Sequence, residues 1–438
     1  MLSAINPWIA LLVFFGVFFG SAVVFKLSIS FAMGLAAFIT FAIAALPVDN
    51  VNSAIYFALD SITIATITFF TIVGILMEHT GIAVSLVDWI QSIVGRIYGS
   101  IGMVCAIASA AFGLLVGSSL VTLNAIGKTM IKEMVNKGKY PVAYASAIAA
   151  ATCFLGILIP PSSPGIVYSL AAGCSVMDVW LSTLVPGLMI TVGYCVVIFF
   201  QRKKKDQKST EPFVVYDYVR KVKRSTINAI WAILLPIIIF GGIYGGVCTP
   251  TEAGALACVY SFMFFFLKKR IVKGSINVSL MDITTESSSL IGSIVMMLAF
   301  AACVNRVVAY TGIARAVSDF VIANFSSSVM FLLFVNILYL IIGCLMEQNA
   351  AILIMTPLLL PAAKALGIDP VHFGAVTLVN MCIGYITPPF AMSIFVVTKM
   401  SNVRFVDVVK EILPFLVVCL IVLGLTTYVP ALSMCLIS

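Results

Sequence analysis

The chain is 438 residues long, 62% hydrophobic and only 10% charged, with a mean hydropathy of +1.17 and a net charge of +8. No soluble domain needs that much apolar surface, so the composition excludes a water-soluble globular protein and describes a polytopic protein of the lipid bilayer. The positive charge is concentrated: residues 201–226 hold nine Lys or Arg against three Asp or Glu, which marks a cytoplasmic segment and not a nucleic-acid surface.

Apolar segments of about 20 residues suit spanning helices, and the first three are expected at 5–24, 28–46 and 54–77. The run from Ile5 to Val24 is too long for a signal-peptide core and lacks a basic flank, so no cleaved leader is expected. Next comes an amphipathic piece from Gly81 to Val94, carrying Asp88, Trp89 and Gln91. It is too polar to span and suited to lie along the surface. Two half-length helices follow at about 101–116 and 120–136, separated by Gly117-Ser118-Ser119. A break near the middle of an apolar run predicts a re-entrant hairpin whose tip is buried in protein. The segment 141–172 is long enough to span, but Gly156-Ile157-Leu158-Ile159-Pro160-Pro161-Ser162 interrupts it. Each proline removes a backbone donor and clashes with the preceding turn, so this helix must break. A span at 180–200 and the basic linker 201–226 close the first half.

The second half, 227–438, repeats the order. Spans are expected near 227–245, 252–267 and 284–305, then an amphipathic piece from Thr311. A hairpin at 327–366 has its tip at Glu347-Gln348-Asn349, and a broken helix at 370–398 contains Gly384-Tyr385-Ile386-Thr387-Pro388-Pro389. A last span at 411–429 ends the series. Three anchors recur at nearly one displacement. Thr80-Gly81-Ile82-Ala83 returns as Thr311-Gly312-Ile313-Ala314, 231 residues on, and Pro160-Pro161 returns as Pro388-Pro389, 228 on. Pro141 and Pro370, which open the two broken helices, are 229 apart. The chain reads as a duplication of residues 1–200 in 227–438. Each half supplies five spans and a hairpin, and five is odd, so the two repeats are inverted. With 201–226 in the cytoplasm, Lys128, Lys132, Lys268, Lys269 and Lys399 fall inside, Arg306, Arg315 and Lys364 are exceptions outweighed by the sum of charges, and both termini face the periplasm.

Two interrupted helices at matching places in two halves point to a transport site near the midplane. At the first tip, Ser118 and Ser119 with free backbone groups offer the oxygen ligands a hard cation takes; the alternative is a tight turn that lets helices pack through small residues. At the second, Glu347 is an ionisable residue at membrane depth, suited to neutralise a cation or carry a proton; the alternative is a tip open to water. Thr387 adds a hydroxyl beside the second break. The glycine-rich stretch Gly241 to Gly246, followed by Thr249-Pro250-Thr251-Glu252, lacks the Lys-Ser/Thr of a phosphate loop, so it is read as a helix start capped by Thr249. His79 and His372 have no metal-ligand spacing. The eleven cysteines are read as small packing residues. With no nucleophile–base constellation in the sequence, an enzyme is not expected.

At these motifs the sequence resembles the large membrane subunit of tripartite ATP-independent periplasmic (TRAP) transporters. The matching stretches are Gly117-Ser118-Ser119, Gly156 to Ser162, Gly241 to Ala253, Gly367 to Gly374 and Gly384 to Pro389, running across nearly the whole chain in the family's order. The resemblance implies an elevator-type architecture of the ion-transporter superfamily and a sodium-driven importer of small organic acids in the bacterial inner membrane. Dicarboxylates, keto acids and sialic acid are all substrates within that family. It implies two protein partners: a small four-helix membrane subunit and a periplasmic substrate-binding protein. Sodium is the coupling ion, with no organic cofactor. The sodium and substrate sites are implied at Ser118, Ser119, Gly156, Pro160, Pro161, Ser162, Glu347, Gln348, Asn349, Gly384, Thr387, Pro388 and Pro389. Within that set, Ser118, Ser119, carbonyls at Pro160, Glu347, Asn349 and Thr387 are the expected sodium ligands. The family usually has an aspartate where this chain has Glu347, a longer side chain that bears on ion affinity and coordination. The alternative is a single-component sodium- or proton-coupled organic anion symporter of similar architecture.

Overall fold

Long apolar segments satisfy their backbone internally as helices, the only open-ended answer in hydrocarbon, and a computed structural model shows this chain following that rule. The structure describes residues 6–46, 49–95, 99–203, 215–271, 278–325, 327–388 and 391–437, and among them there is no strand. In chain order the helices are α1 (Pro7–Val23), α2 (Ile29–Ile43), α3 (Asp49–Leu59), α4 (Ile62–His79), α5 (Ile82–Val94), α6 (Ser100–Val116), α7 (Ser119–Thr122), α8 (Lys128–Asn136), α9 (Val142–Thr152), α10 (Leu155–Leu158), α11 (Ser163–Ala172) and α12 (Val176–Lys203). The second half continues with α13 (Val215–Asn228), α14 (Ile230–Tyr244), α15 (Pro250–Ile271), α16 (Leu280–Thr311), α17 (Ile313–Asn324), α18 (Ser328–Leu345), α19 (Gln348–Ala365), α20 (Pro370–Gly384), α21 (Met392–Ser401), α22 (Phe405–Tyr428) and α23 (Ala431–Met434). A single widened turn, Leu123–Gly127, joins α7 to α8, so the helical run 119–136 is continuous.

The fold is an all-α polytopic membrane fold of two inverted repeats, and the packing shows the duplication. α1 lies on α2 as α14 lies on α15; α2 packs on α16 as α15 packs on α4. α12 packs on α20 as α22 packs on α9, and α11 meets α12 as α21 meets α22. Equivalent spans therefore exchange partners between the halves, so neither half buries its apolar face alone. The turn from span to amphipathic arm is also the same twice. Gly81 (φ 67°) links α4 to α5 and Gly312 (φ 71°) links α16 to α17, a left-handed step that a side chain resists.

Among the described residues six helices are long and apolar enough to cross a membrane, or eight if each bent pair is one span. α1 and α2 hold 17 and 15 residues and are shorter than the expected segments 5–24 and 28–46. Two expectations change. The segment 54–77 is not one helix: α3 ends at Leu59, and Asp60 and Ser61 separate it from α4. Ser61 is extended (φ −116°, ψ 123°), an N-terminal geometry that ends one helix and starts the next. The described part of 201–226 is also helical, in the end of α12 and in α13. α13 meets α14 at a bend of 65°.

The helix start at Thr249 is as expected. The Glu252 carboxylate accepts from the Thr249 amide at 2.8 Å and its hydroxyl at 2.9 Å, and Pro250 opens α15. The two histidines each have a polar partner: His79 Nε2 lies 2.9 Å from Glu286 Oε2, and buried His372 Nδ1 lies 2.7 Å from Ser433 Oγ. All eleven cysteines are free thiols.

Candidate functional site

The site begins where two hairpins each meet a broken helix. In the first half α6 turns at Gly117 (φ 63°) into the run that starts at Ser119. A Cβ on Gly117 would overlap the Pro161 carbonyl oxygen, so the tip rests directly on the Pro-Pro break. Behind the tip Gly113 and Gly156 touch backbone to backbone; a Cβ on Gly113 would stand 2.9 Å from Gly156 Cα. In the second half Gly343 and Gly384 make the same crossing, and a Cβ on Gly384 would stand 2.5 Å from the Gly343 carbonyl carbon. Each hairpin therefore approaches its broken helix as closely as a backbone can, which only glycine permits.

The breaks are held by side chains. Ile159 is extended (φ −82°, ψ 124°), and the Pro160–Pro161 bond is cis. Ser162 Oγ accepts from the Gly165 amide at 3.0 Å and caps α11. Its carbonyl accepts from the indole of fully buried Trp180 at 3.1 Å, which anchors the break to α12. At the second break Ser393 donates to the Tyr385 carbonyl from both its hydroxyl (2.7 Å) and its amide (3.3 Å). The two broken helices are themselves tied: Tyr168 Oη on α11 donates to the Pro370 carbonyl at 2.6 Å, at the start of α20.

One cavity of about 250 Å³ lies among these parts. Ser118 and Ser119 line it from the first tip; Glu347, Gln348 and Asn349 from the second; Ser163 and Pro164 from the first break; Tyr385 and Met392 from the second. The starts of the helical runs at Ser119, Ser163, Gln348 and Met392 all reach the cavity. Helix N-termini carry unsatisfied amides and partial positive charge, so four of them make an anion-favouring environment. Among the described lining residues there is no Lys or Arg, and Glu347 is the one carboxylate. The opposite wall is α4 and α16, through Thr71, Gly74, Ser293 and Met297.

Glu347 caps α19: one oxygen accepts from the Ala350 amide at 3.1 Å and the other from Asn349 Nδ2 at 2.9 Å. That leaves the Asn349 side-chain oxygen Oδ1 buried with no partner among the described residues, as is the Gln348 side-chain oxygen Oε1. Two orphaned oxygens beside a carboxylate are a donor set for a hard cation. At the first tip the Ser118 carbonyl accepts from Thr122 Oγ1 at 2.7 Å.

The structure thus brings Ser118, Ser119, Glu347, Gln348 and Asn349 to one cavity. Gly156, Pro160, Pro161, Ser162 and Gly384 form its backing and not its lining. Thr387 and Pro388 are outside the lining; Thr387 Oγ1 donates to the Ile383 carbonyl at 2.7 Å, within its own helix end. Pro389 lies outside the described residues. Sequence reasoning missed Gly113 and Gly343, although they stand 230 residues apart, the displacement of the other anchors. It also missed Trp180, Ser393 and Tyr385 as site-shaping residues, and the wall contributed by Thr71 and Ser293. A lone hydroxyl in an apolar span carries no local signal of what it faces.

Residues 11–432 match the family model for the tripartite ATP-independent periplasmic transporter, DctM component. The chain is 35% identical to the C4-dicarboxylate TRAP transporter large permease protein DctM of Pseudomonas aeruginosa, over 85% of this chain and 86% of that one. It is 31% identical to the sialic acid TRAP transporter large permease protein SiaM of Vibrio cholerae, over 85% of each. It is 32% identical to the isethionate TRAP transporter permease protein DctMQ of Oleidesulfovibrio alaskensis, over 96% of this chain but 65% of that one. This chain therefore spans about two-thirds of that longer relative. Among solved structures, the YdaH transporter of Alcanivorax borkumensis superposes with a TM-score of 0.62 at 14% identity, covering 86% of each chain, and so shares the fold.

Proposed function

The chain belongs to the DctM component family of tripartite ATP-independent periplasmic transporters, and on that premise we propose that it imports small organic acids coupled to sodium, by an elevator movement. As a family member it is a transport component of the inner membrane and not an enzyme. The observation that carries the proposal is the single cavity on which both hairpin tips and both broken helices converge.

The chemistry follows from charge. A substrate carboxylate is drawn to four helix N-termini but repelled by Glu347, the one carboxylate of the described lining. Sodium held by Glu347, the Asn349 and Gln348 oxygens and nearby carbonyls removes that repulsion. Ser118, Ser119 and carbonyls beside Pro160 hold a second sodium at the first tip. The anion then binds well only after the cations, which is coupling stated as order of binding. The hairpins and broken helices move as one unit against α4 and α16, which wall the cavity and act as scaffold.

The partners are a small four-helix membrane subunit and a periplasmic binding protein that delivers the substrate. The relatives are named for C4-dicarboxylates, sialic acid and isethionate, and on our proposal the substrate here is a small acid of the same kind. The basic segment 201–226 lies in the cytoplasm and both termini in the periplasm. The domains are 1–200 and 227–438.

The test is uptake into proteoliposomes holding the chain and its small subunit, with a panel of labelled organic acids. Uptake that needs both a sodium gradient and the binding protein is expected. Sodium-dependent uptake indifferent to the binding protein would indicate a single-component symporter instead.

A further inference from the structure

We infer that the cleft between α5, α8 and α13 is a binding site for the phosphate of an anionic phospholipid headgroup. The cleft has a volume of about 500 Å³. Four cations line it, Lys137, Arg220, Lys221 and Arg224, against the single carboxylate Asp88. Lys137 also bridges Glu133 at 2.8 Å, but none of the three α13 cations that line the cleft is in an ion pair among the described residues. Burial and the neighbouring Glu133 hold the Asp88 carboxyl above its ordinary range, while Lys137 and Lys221 pull it down. With four cations against one carboxylate in its lining, the cleft is suited to take an anion.

The cleft is built and not a chance meeting of mobile lysines. The Trp89 indole donates to Thr226 Oγ1 at 3.0 Å, and Ser225 Oγ donates to Ser92 Oγ at 2.8 Å. These bonds fasten α13 to the amphipathic arm α5 through the arm's polar edge. Arg220, Lys221 and Arg224 are thereby fixed on one helix at spacings of three and four, on neighbouring turns.

Its depth selects a lipid over a soluble phosphate. α13 ends at Asn228, and after a 65° bend the apolar helix α14 begins at Ile230. A basic surface helix that turns into a hydrophobic one lies at the headgroup level. Val219 and Ile227 are 55% and 62% exposed on the same helix, apolar groups that suit acyl chains and have no use in a water-filled anion site. Trp89 and Trp231 flank the bend, as aromatic side chains do at the membrane interface. This reading rests on the fold and does not depend on the transported substrate.

The test uses the full chain in neutral detergent, exchanged against phosphatidylglycerol or phosphatidylcholine micelles, with retained lipid counted by native mass spectrometry. Wild type should retain phosphatidylglycerol over phosphatidylcholine. The double variant R220Q/R224Q should retain it about 30-fold less tightly, at about fivefold for each basic residue near an anionic surface. R220K/R224K should stay close to wild type, which also shows that the fold is intact. Equal retention in wild type and R220Q/R224Q would overturn the site. Displacement of the lipid by inorganic phosphate would overturn the lipid assignment in favour of a soluble anion.

Discussion

The two hairpin tips share a scaffold and differ in chemistry. Both cross a broken helix at a glycine pair, Gly113 with Gly156 and Gly343 with Gly384, and both present a helix N-terminus to the cavity. The first tip offers two serines and carbonyls, while the second offers a carboxylate and two amide oxygens without partners. Duplication thus preserved the backbone crossing that makes a tip possible and let the polar groups diverge. The lesson is that the glycines set the geometry, and the tip residues decide what is bound.

The largest effect is expected where the crossings differ in tolerance. In Gly384→Ala the new Cβ meets the Gly343 carbonyl carbon at 2.5 Å and oxygen at 2.6 Å, backbone that cannot step aside. A loss of about 3 kcal/mol is expected, at the upper end for overpacking, read as loss of folded protein after purification. In Gly156→Ala the first obstacle is the Thr122 side chain, with its Cβ at 2.9 Å. A smaller loss of about 1–2 kcal/mol is expected there, and adding Thr122→Ala should restore part of it. Equal losses at both glycines, with no rescue, would break the contrast.

Next in size is the charge at the second tip. Glu347→Gln should shift half-saturation by sodium upward by at least tenfold in uptake assays, since contacts to charged groups contribute about 1.5–3 kcal/mol. Unchanged half-saturation would mean that the carboxylate serves only as the cap of α19. The smallest effect is expected at the caps themselves. Ser162→Ala removes the bond to the Gly165 amide and should lower stability by about 1 kcal/mol, read as a lower thermal midpoint with sodium dependence intact. A changed sodium response in that variant would move Ser162 from support to ligand.

Much of this contrast was legible in the letters. Pro160-Pro161 and Pro388-Pro389 demand breaks, Gly117-Ser118-Ser119 and Glu347-Gln348-Asn349 interrupt apolar runs, and one displacement relates the halves. Those are local signals, and the structure places both tips on one cavity. What was not legible depends on chain-distant contacts. Nothing beside Trp180 tells that its indole reaches the Ser162 carbonyl, and nothing beside Thr71 or Ser293 tells that α4 and α16 form the wall. Thr387 illustrates the converse: beside the Pro-Pro pair it reads as a ligand, yet its hydroxyl donates to its own helix end and is absent from the lining. The separate helix α3 was hidden because Asp60 and Ser61 interrupt an otherwise apolar pattern too briefly to count as a loop.

We propose that two unlike tips complete one sodium-dependent site. It is tested most directly by the sodium dependence of organic-acid uptake in Ser119→Ala and Asn349→Ala, measured side by side in proteoliposomes with the small subunit and binding protein. Removing one neutral ligand should raise the sodium concentration for half-maximal uptake about fivefold in each variant, the equivalent of about 1 kcal/mol, with the protein still folded in the membrane. Wild-type sodium dependence in both variants would contradict the claim and remove these residues from the ion sites.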